Sequence, residues 1–278
     1  MTSTLTPAHA ETAVTPRFPG MKVTQGRVIA SEWTKFRSLR STLITLSVSV
    51  VLTVGLGAVI SAAIAAHWAQ ASAQDRAGFN AVSASLNGVR ISQLAVGVLG
   101  VLLISGEYAT GMIRASLTAV PARLPVLWAK LSVFTAVVGV ISIASTFVAF
   151  FLGQAMLSSH HLQVSISSPH AVRMIVGAGV YLLLVGLIGM AFGGLMRNTA
   201  AGISSLVALF FVIPPVLDLL PTSWADKIGP YLPANAGEAF WGHPDGAHLS
   251  AWAGLLVLLA WTAAAIAAAA VRLTTQDA

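Results

Sequence analysis

Long apolar stretches separated by short polar breaks dominate the chain. Six of them can cross a bilayer, because a helix needs about 20 mostly apolar residues to span roughly 30 Å of hydrocarbon. The fifth is interrupted near its end by Pro214 and Pro215. The pattern predicts an all-α polytopic membrane protein with six transmembrane helices. The predicted spans are 42–66, 86–105, 125–157, 174–196, 200–220 and 251–271.

The residues before the first span follow a different pattern. Residues 1–20 contain Thr, Pro and Ala without an apolar period, which predicts a disordered tail. Within residues 21–41, apolar side chains and Arg40 recur every three or four positions, while most charges fall off that stripe. This predicts an amphipathic helix in the membrane interface, with a bend at 38–41 before the first span. The residues assigned to this interface helix are Ile29, Glu32, Trp33, Lys35, Phe36, Arg37 and Arg40.

The break between the second and third spans is the most distinctive stretch of the chain. It reads ISGEYATGMIRASLTAVPARLPVLWAK over residues 104–130. Gly111 lies where the second span must turn, and Gly adopts positive φ at little steric cost. The following MIRASLTAV lacks Gly and Pro and predicts a short helix, which Pro121 ends. A simple polar loop between two spans is the alternative interpretation.

Two stretches resemble one family of membrane proteins. GEYATGMIRASLTAVPARLPVLWAK is similar to the cytoplasmic loop of ABC type-2 exporter permeases, although Met112 stands where many members have Thr. VIASEWTKFRSLRSTLITL, residues 28–46, resembles the N-terminal segment of actinobacterial members. The resemblance implies a coupling helix at about 107–123 that docks on a separate ATPase subunit. The residues that match this loop are Glu107, Gly111, Ile113, Arg114, Leu117, Pro121 and Arg123.

Composition and charge agree with a membrane location. The chain is 56% hydrophobic and 9% charged, whereas an average soluble domain is about 25% charged. It has no Cys, which excludes disulfides and thiolate metal sites. Positive residues concentrate on the side that holds both termini, so the positive-inside rule predicts that both are cytoplasmic, and the high pI requires no nucleic acid partner. The cations on that side are Arg17, Lys22, Arg27, Lys35, Arg37, Arg40, Arg114, Arg123, Lys130, Arg197 and Arg272.

The segment between the last two spans, residues 221–250, mixes aromatic and charged residues and is too long for a turn. It predicts two half-helices that dip back into the outer leaflet. The resemblance implies that such re-entrant elements close an outer gate. Asp218, near the membrane edge, and the two prolines Pro214 and Pro215 are the candidate outer-gate residues.

Catalytic and metal-binding signals are absent from the sequence. No G-x-x-x-x-G-K-S/T motif occurs, so the chain does not bind ATP through a P-loop. The outer histidines match no tight ligand spacing, and we interpret them as solvated loop residues rather than a metal site. They are His67, His160, His161, His170, His243 and His248.

The sequence therefore predicts the permease subunit of an ABC exporter, and not an enzyme. ATP and Mg²⁺ are expected in the partner ATPase, with no cofactor in this chain. The resemblance implies a permease homodimer or heterodimer in a bacterial plasma membrane. The alternative is a polytopic membrane enzyme or anchor that uses outer histidines and acids. A secondary transporter is a weaker third reading, because its coupling-ion site needs charged or broken helices at mid-membrane.

Overall fold

The computed structural model describes residues 24–113, 118, 123–217, 219, 221–242 and 249–276. Within these ranges the regular structure is helical and contains no strand. The helices are α1 (Gln25–Ser38), α2 (Arg40–His67), α3 (Ala73–Ala77), α4 (Ala81–Leu86), α5 (Val89–Ala109), α6 (Leu124–Leu157), α7 (Ala171–Met196), α8 (Thr199–Val207), α9 (Ile213–Leu217), α10 (Thr222–Ile228), α11 (Pro233–Trp241) and α12 (Ala251–Thr275).

In the part of the chain that the structure describes, six helical segments are long and apolar enough to cross a membrane. The prediction of an all-α, multi-pass membrane protein is therefore confirmed. Helices α2, α6 and α8 begin at one end of the bundle, and α5, α7 and α12 end there. We call this end of the bundle the loop end. The six segments are Arg40–Gln70, Ala81–Ala109, Leu124–His160, Ala171–Met196, Thr199–Leu217 and Ala251–Thr275.

Glycines let α5 and α7 pack backbone to backbone at the centre of the bundle. A Cβ atom on Gly189 would lie 2.2 Å from the carbonyl oxygen of Gly97, and one on Gly193 would lie 2.6 Å from that of Val101. Gly189 and Gly193 form a GxxxG pair, a spacing that allows close helix approach in membranes. In this chain the pair packs against α5 of the same subunit.

Replacing Gly189 by Val should separate α5 from α7. The branched side chain would overlap backbone atoms, which cannot move aside as a side-chain tip can, and overpacking typically costs about 1–3 kcal/mol. We expect a clear drop in the melting temperature of the detergent-solubilised protein. Gly55→Val is the matched control, because nothing lies within 4 Å of a Cβ on Gly55. Equal melting temperatures for the two variants would contradict this packing.

The fifth span was predicted to break at Pro214 and Pro215, but the helix continues. A π-helical segment, residues 208–212, lies between α8 and α9, and the Ile213 N–H bonds to the Ala208 carbonyl. Proline has no N–H to donate to the preceding turn. The wider π-helical turn accommodates the change of hydrogen-bond register that the prolines impose.

Two short helices, α10 and α11, occupy the segment before the last span, where two half-helices were predicted. Helix α11 packs tightly on its neighbours, since a Cβ on Gly237 would lie 2.2 Å from the Tyr181 ring. Arg90 at the start of α5 forms a two-pronged ion pair with Glu238 of α11. Insertion of these helices into the outer leaflet stays a prediction, and Asp218 lies outside the described residues.

Candidate functional site

Helix α1 lies along the first turns of α6. Val28 packs with Val126 and Ala129 in a small apolar cluster. The Gln25 side-chain amide donates a hydrogen bond of 3.1 Å to the Pro125 carbonyl. These contacts fix α1 against the bundle at the loop end, directly beside the break at residues 104–130.

The face of α1 that is buried differs from the predicted stripe. Val28, Glu32 and Phe36, each four residues apart, are 8%, 5% and 4% exposed, whereas Trp33 is 47% exposed. Arg40 belongs to α2, after an extended residue at Leu39. The sequence placed Glu32 on the charged outer face of the helix, and the structure turns it inward. The reason is electrostatic, because Glu32 finds two lysine partners there.

Four charged side chains from three helices meet in one ring of ion pairs. The Lys130 Nζ atom of α6 donates to Glu32 Oε2 of α1 and to Glu107 Oε1 of α5, both at 2.6 Å. The Lys35 Nζ atom of α1 donates to Glu32 Oε1 at 2.7 Å and to Glu107 Oε1 at 3.1 Å. We call these four residues the ionic ring.

Burial makes the ionic ring energetically important. The side chains of Lys130, Glu32 and Glu107 are only 4%, 6% and 8% exposed. Charges removed from water are costly unless they are paired and hydrogen-bonded, and here two carboxylates balance two ammonium groups. Burial lowers the pKa of Lys35, but the hydrogen bonds and charges of Glu32 and Glu107 outweigh this effect and raise its pKa above the ordinary 10.5. Lys35 is therefore charged throughout the physiological pH range.

Both ion pairs of Glu107 use the same carboxylate oxygen, Oε1. Glu107 Oε2 is buried and has no hydrogen-bond partner among the described residues. A cavity of about 10 Å³ borders the ring and is lined by the four charged residues together with apolar side chains. This volume is near the smallest that holds one water molecule.

The structure places four of the predicted coupling-loop residues. Glu107 joins the ionic ring, and Gly111 has φ of 72°, as the predicted turn requires. Ile113 is 5% exposed, so it packs within this chain and is not presented to a partner. The Arg123 guanidinium donates to the carbonyls of Leu273 and Gln276 at 3.1 Å each. Arg114, Leu117 and Pro121 lie outside the described residues.

Sequence reasoning left Lys130 out of the candidate site, although it holds the ring together. A signal was present, because Lys130 lies inside the third predicted span. Ionisable residues within spans usually face the protein interior and have a partner. Glu32 and Lys35 were assigned to the interface helix, but the contact of Lys35 with Glu107, 72 positions along the chain, could not be read from spacing.

Arginines fasten the last helix to the loop end. Arg197 follows α7 and donates to the Arg272 carbonyl at 3.3 Å, and its guanidinium lies 5.2 Å from the centre of the Tyr108 ring. Arg272 in turn donates to the Leu195 carbonyl. Carbonyls at a helix C-terminus favour cations, so these contacts hold α12 against α7 and the start of α6.

Among the described residues, no three His, Asp or Glu side chains converge in a way that could hold a metal ion. His243 and His248 lie outside those residues. Compared with known proteins, the chain matches no family model and none of the curated sequences. The ionic ring and the break it borders are the features of this chain that bear most directly on its function.

Proposed function

We propose that this chain is the permease subunit of an ABC exporter, driven by a separate ATPase chain. The single observation that carries the proposal is the ionic ring. It ties the amphipathic helix α1 to the last turn of α5 and the first turns of α6, and the 107–123 break connects those two spans. A partner that moves this break moves both spans and α1 together.

The chemistry of the described bundle supports a passive role in energy conversion. The sequence has no P-loop, and within the described spans the buried charges at the loop end are paired with one another. Work must then enter from a soluble partner that touches the exposed surface at the loop end. Glu107 and Lys130 stand on either side of the break, where such a push is applied.

The proposal places both termini and the break in the bacterial cytoplasm. A reporter that is active only in the cytosol should work when fused after Ala278 or inserted at Arg197. It should be silent when inserted near Gln74 or Ser159, at the opposite end of the bundle. Positive charge at the loop end is the physical reason, since cationic loops stay on the cytoplasmic side. A cytosolic signal at Gln74 would refute the six-span orientation.

The proposed energy source is tested by reconstitution. The full chain is placed in lipid vesicles with a candidate P-loop ATPase, and ATP hydrolysis is measured with and without candidate substrates. A permease should bind a P-loop ATPase in fixed stoichiometry and change its rate of hydrolysis. If no such ATPase binds, and activity follows the outer histidines instead, the chain is a membrane enzyme or anchor. The two cases are separated by replacing His160, His161 and His170 together. Transport by a permease should be unchanged, whereas an enzyme that uses these histidines should lose activity.

A further inference from the structure

One face of α2 is exposed over its first half and again at Val59. From Arg40 to Val51 its exposed positions are three or four residues apart, and the opposite face, from Thr42 to Ala65, is buried against the bundle. Four valine and isoleucine side chains on the outward face are 44–67% exposed. In a spanning helix such a stripe faces lipid, so the residue that ends it lies at headgroup level. The stripe consists of Arg40, Ile44, Val48, Val51 and Val59.

The neighbouring surface of α1 is basic and aromatic. Trp33 and Arg37 are four residues apart and therefore adjacent on the helix surface, and both are exposed. Trp is enriched at the boundary between membrane and water. Glu32 cannot weaken the positive charge of this surface, because it is buried and neutralised in the ionic ring. Glu107, the other acid that the structure describes at this end, is neutralised in the same way.

Two arginines on this surface are available for a ligand. Among the described residues, neither Arg37 nor Arg40 forms a hydrogen bond or an ion pair with another side chain. Their Cα atoms are three residues apart, hence at most about 11 Å from each other. Two long side chains at that separation can reach one headgroup from both sides. A guanidinium binds phosphate oxygens with paired hydrogen bonds.

We propose that Trp33, Arg37 and Arg40 form a binding site for the headgroup of an anionic phospholipid. The surface continues directly into the lipid-facing stripe of α2, which a soluble protein could not cover. The acyl chains would run along Ile44 and Val48, and the phosphate would lie between the two guanidinium groups. The site does not depend on the proposed transport function, since it needs only the bilayer.

The test measures lipid binding to the purified full chain in detergent. Phosphatidylglycerol and phosphatidylcholine are titrated separately, and bound lipid is counted by native mass spectrometry. We expect Arg37→Gln with Arg40→Gln to weaken phosphatidylglycerol binding about thirtyfold, because each cation near an anionic surface contributes roughly fivefold to affinity. Binding of phosphatidylcholine should not change. Arg37→Lys with Arg40→Lys should retain most of the affinity, since the charge is kept.

A matched control variant loses the same amount of positive charge at the end of the bundle opposite to the loop end. Arg76→Gln with Lys227→Gln removes two exposed cations there and should leave phosphatidylglycerol binding at the level of the unchanged protein. The proposal is overturned if this control loses as much affinity as the Arg37 and Arg40 variant. It is also overturned if the Arg37→Gln, Arg40→Gln variant binds phosphatidylglycerol normally. If that variant in addition releases a P-loop ATPase, the surface is a protein-docking site.

Discussion

Lys130→Met should lower the free energy of unfolding by about 3–5 kcal/mol, because removing one partner of a buried ion pair leaves an uncompensated charge. Lys130 donates to both carboxylates of the ionic ring. Without it, Glu32 and Glu107 share only Lys35, and the ring carries one excess negative charge in a largely dry environment. The change is measured by denaturant titration of the protein in mixed micelles, with helix content as the signal.

A second substitution separates charge from packing. Adding Glu107→Gln to Lys130→Met leaves one balanced pair, Glu32 with Lys35 at 2.7 Å, and should recover most of the lost stability. Replacing a buried ion pair by neutral groups is often tolerated. Lys227→Met serves as the control, because Lys227 is exposed on α10. If the double variant is as unstable as Lys130→Met, the ring matters through its shape and not its charge.

If the proposed function is right, Leu117→Asp should release the ATPase subunit while the chain still inserts into the membrane. The sequence places Leu117 in the short helix of the break, and the resemblance makes that helix the contact with the ATPase. Ile113 is buried within the chain, so the apolar anchor of such a contact falls to Leu117. Truncating a central apolar anchor typically costs about 2 kcal/mol or more, which corresponds to roughly a thirtyfold loss of affinity.

Pull-down of the ATPase with the tagged chain measures this effect. Leu219→Asp is the control, since Leu219 is 84% exposed at the opposite end and the chemical change is identical. Retention of the ATPase at full stoichiometry by an inserted Leu117→Asp chain would mean that the break is not the coupling element. Loss of the ATPase by Leu219→Asp would indicate a general folding defect.

The spans could be predicted from the sequence because their apolar runs need no partner to be recognised. The second span shows the limit of prediction from hydropathy. It is made of two helices, α4 and α5, which a turn at Gly88 separates. A Cβ atom on Gly88 would lie 2.3 Å from the Thr53 carbonyl. That turn depends on the approach of α2, which is a tertiary contact and leaves no trace in local hydropathy.

The ion pairs of the ionic ring could not be predicted from the sequence for the same reason, because they are tertiary contacts. Helical spacing alone predicted that Glu32 faces solvent, and the same spacing argument places most isolated acids on the solvent side. A buried position for Glu32 becomes favourable only when Lys130, 98 residues later, is brought opposite to it. Sequence periodicity describes which face of a helix is apolar, but it contains no information on which distant charge neutralises an acid.

The neutrality of the ionic ring also determines how the protein responds to the membrane potential. Moving one elementary charge through 100 mV requires about 2.3 kcal/mol, so a displaced cluster with net charge would perform or absorb electrical work. The ring contains two ammonium groups and two carboxylates, so a shift of these four side chains along the membrane normal transfers no net charge. The ring itself therefore adds no voltage-dependent cost to a motion of these helices.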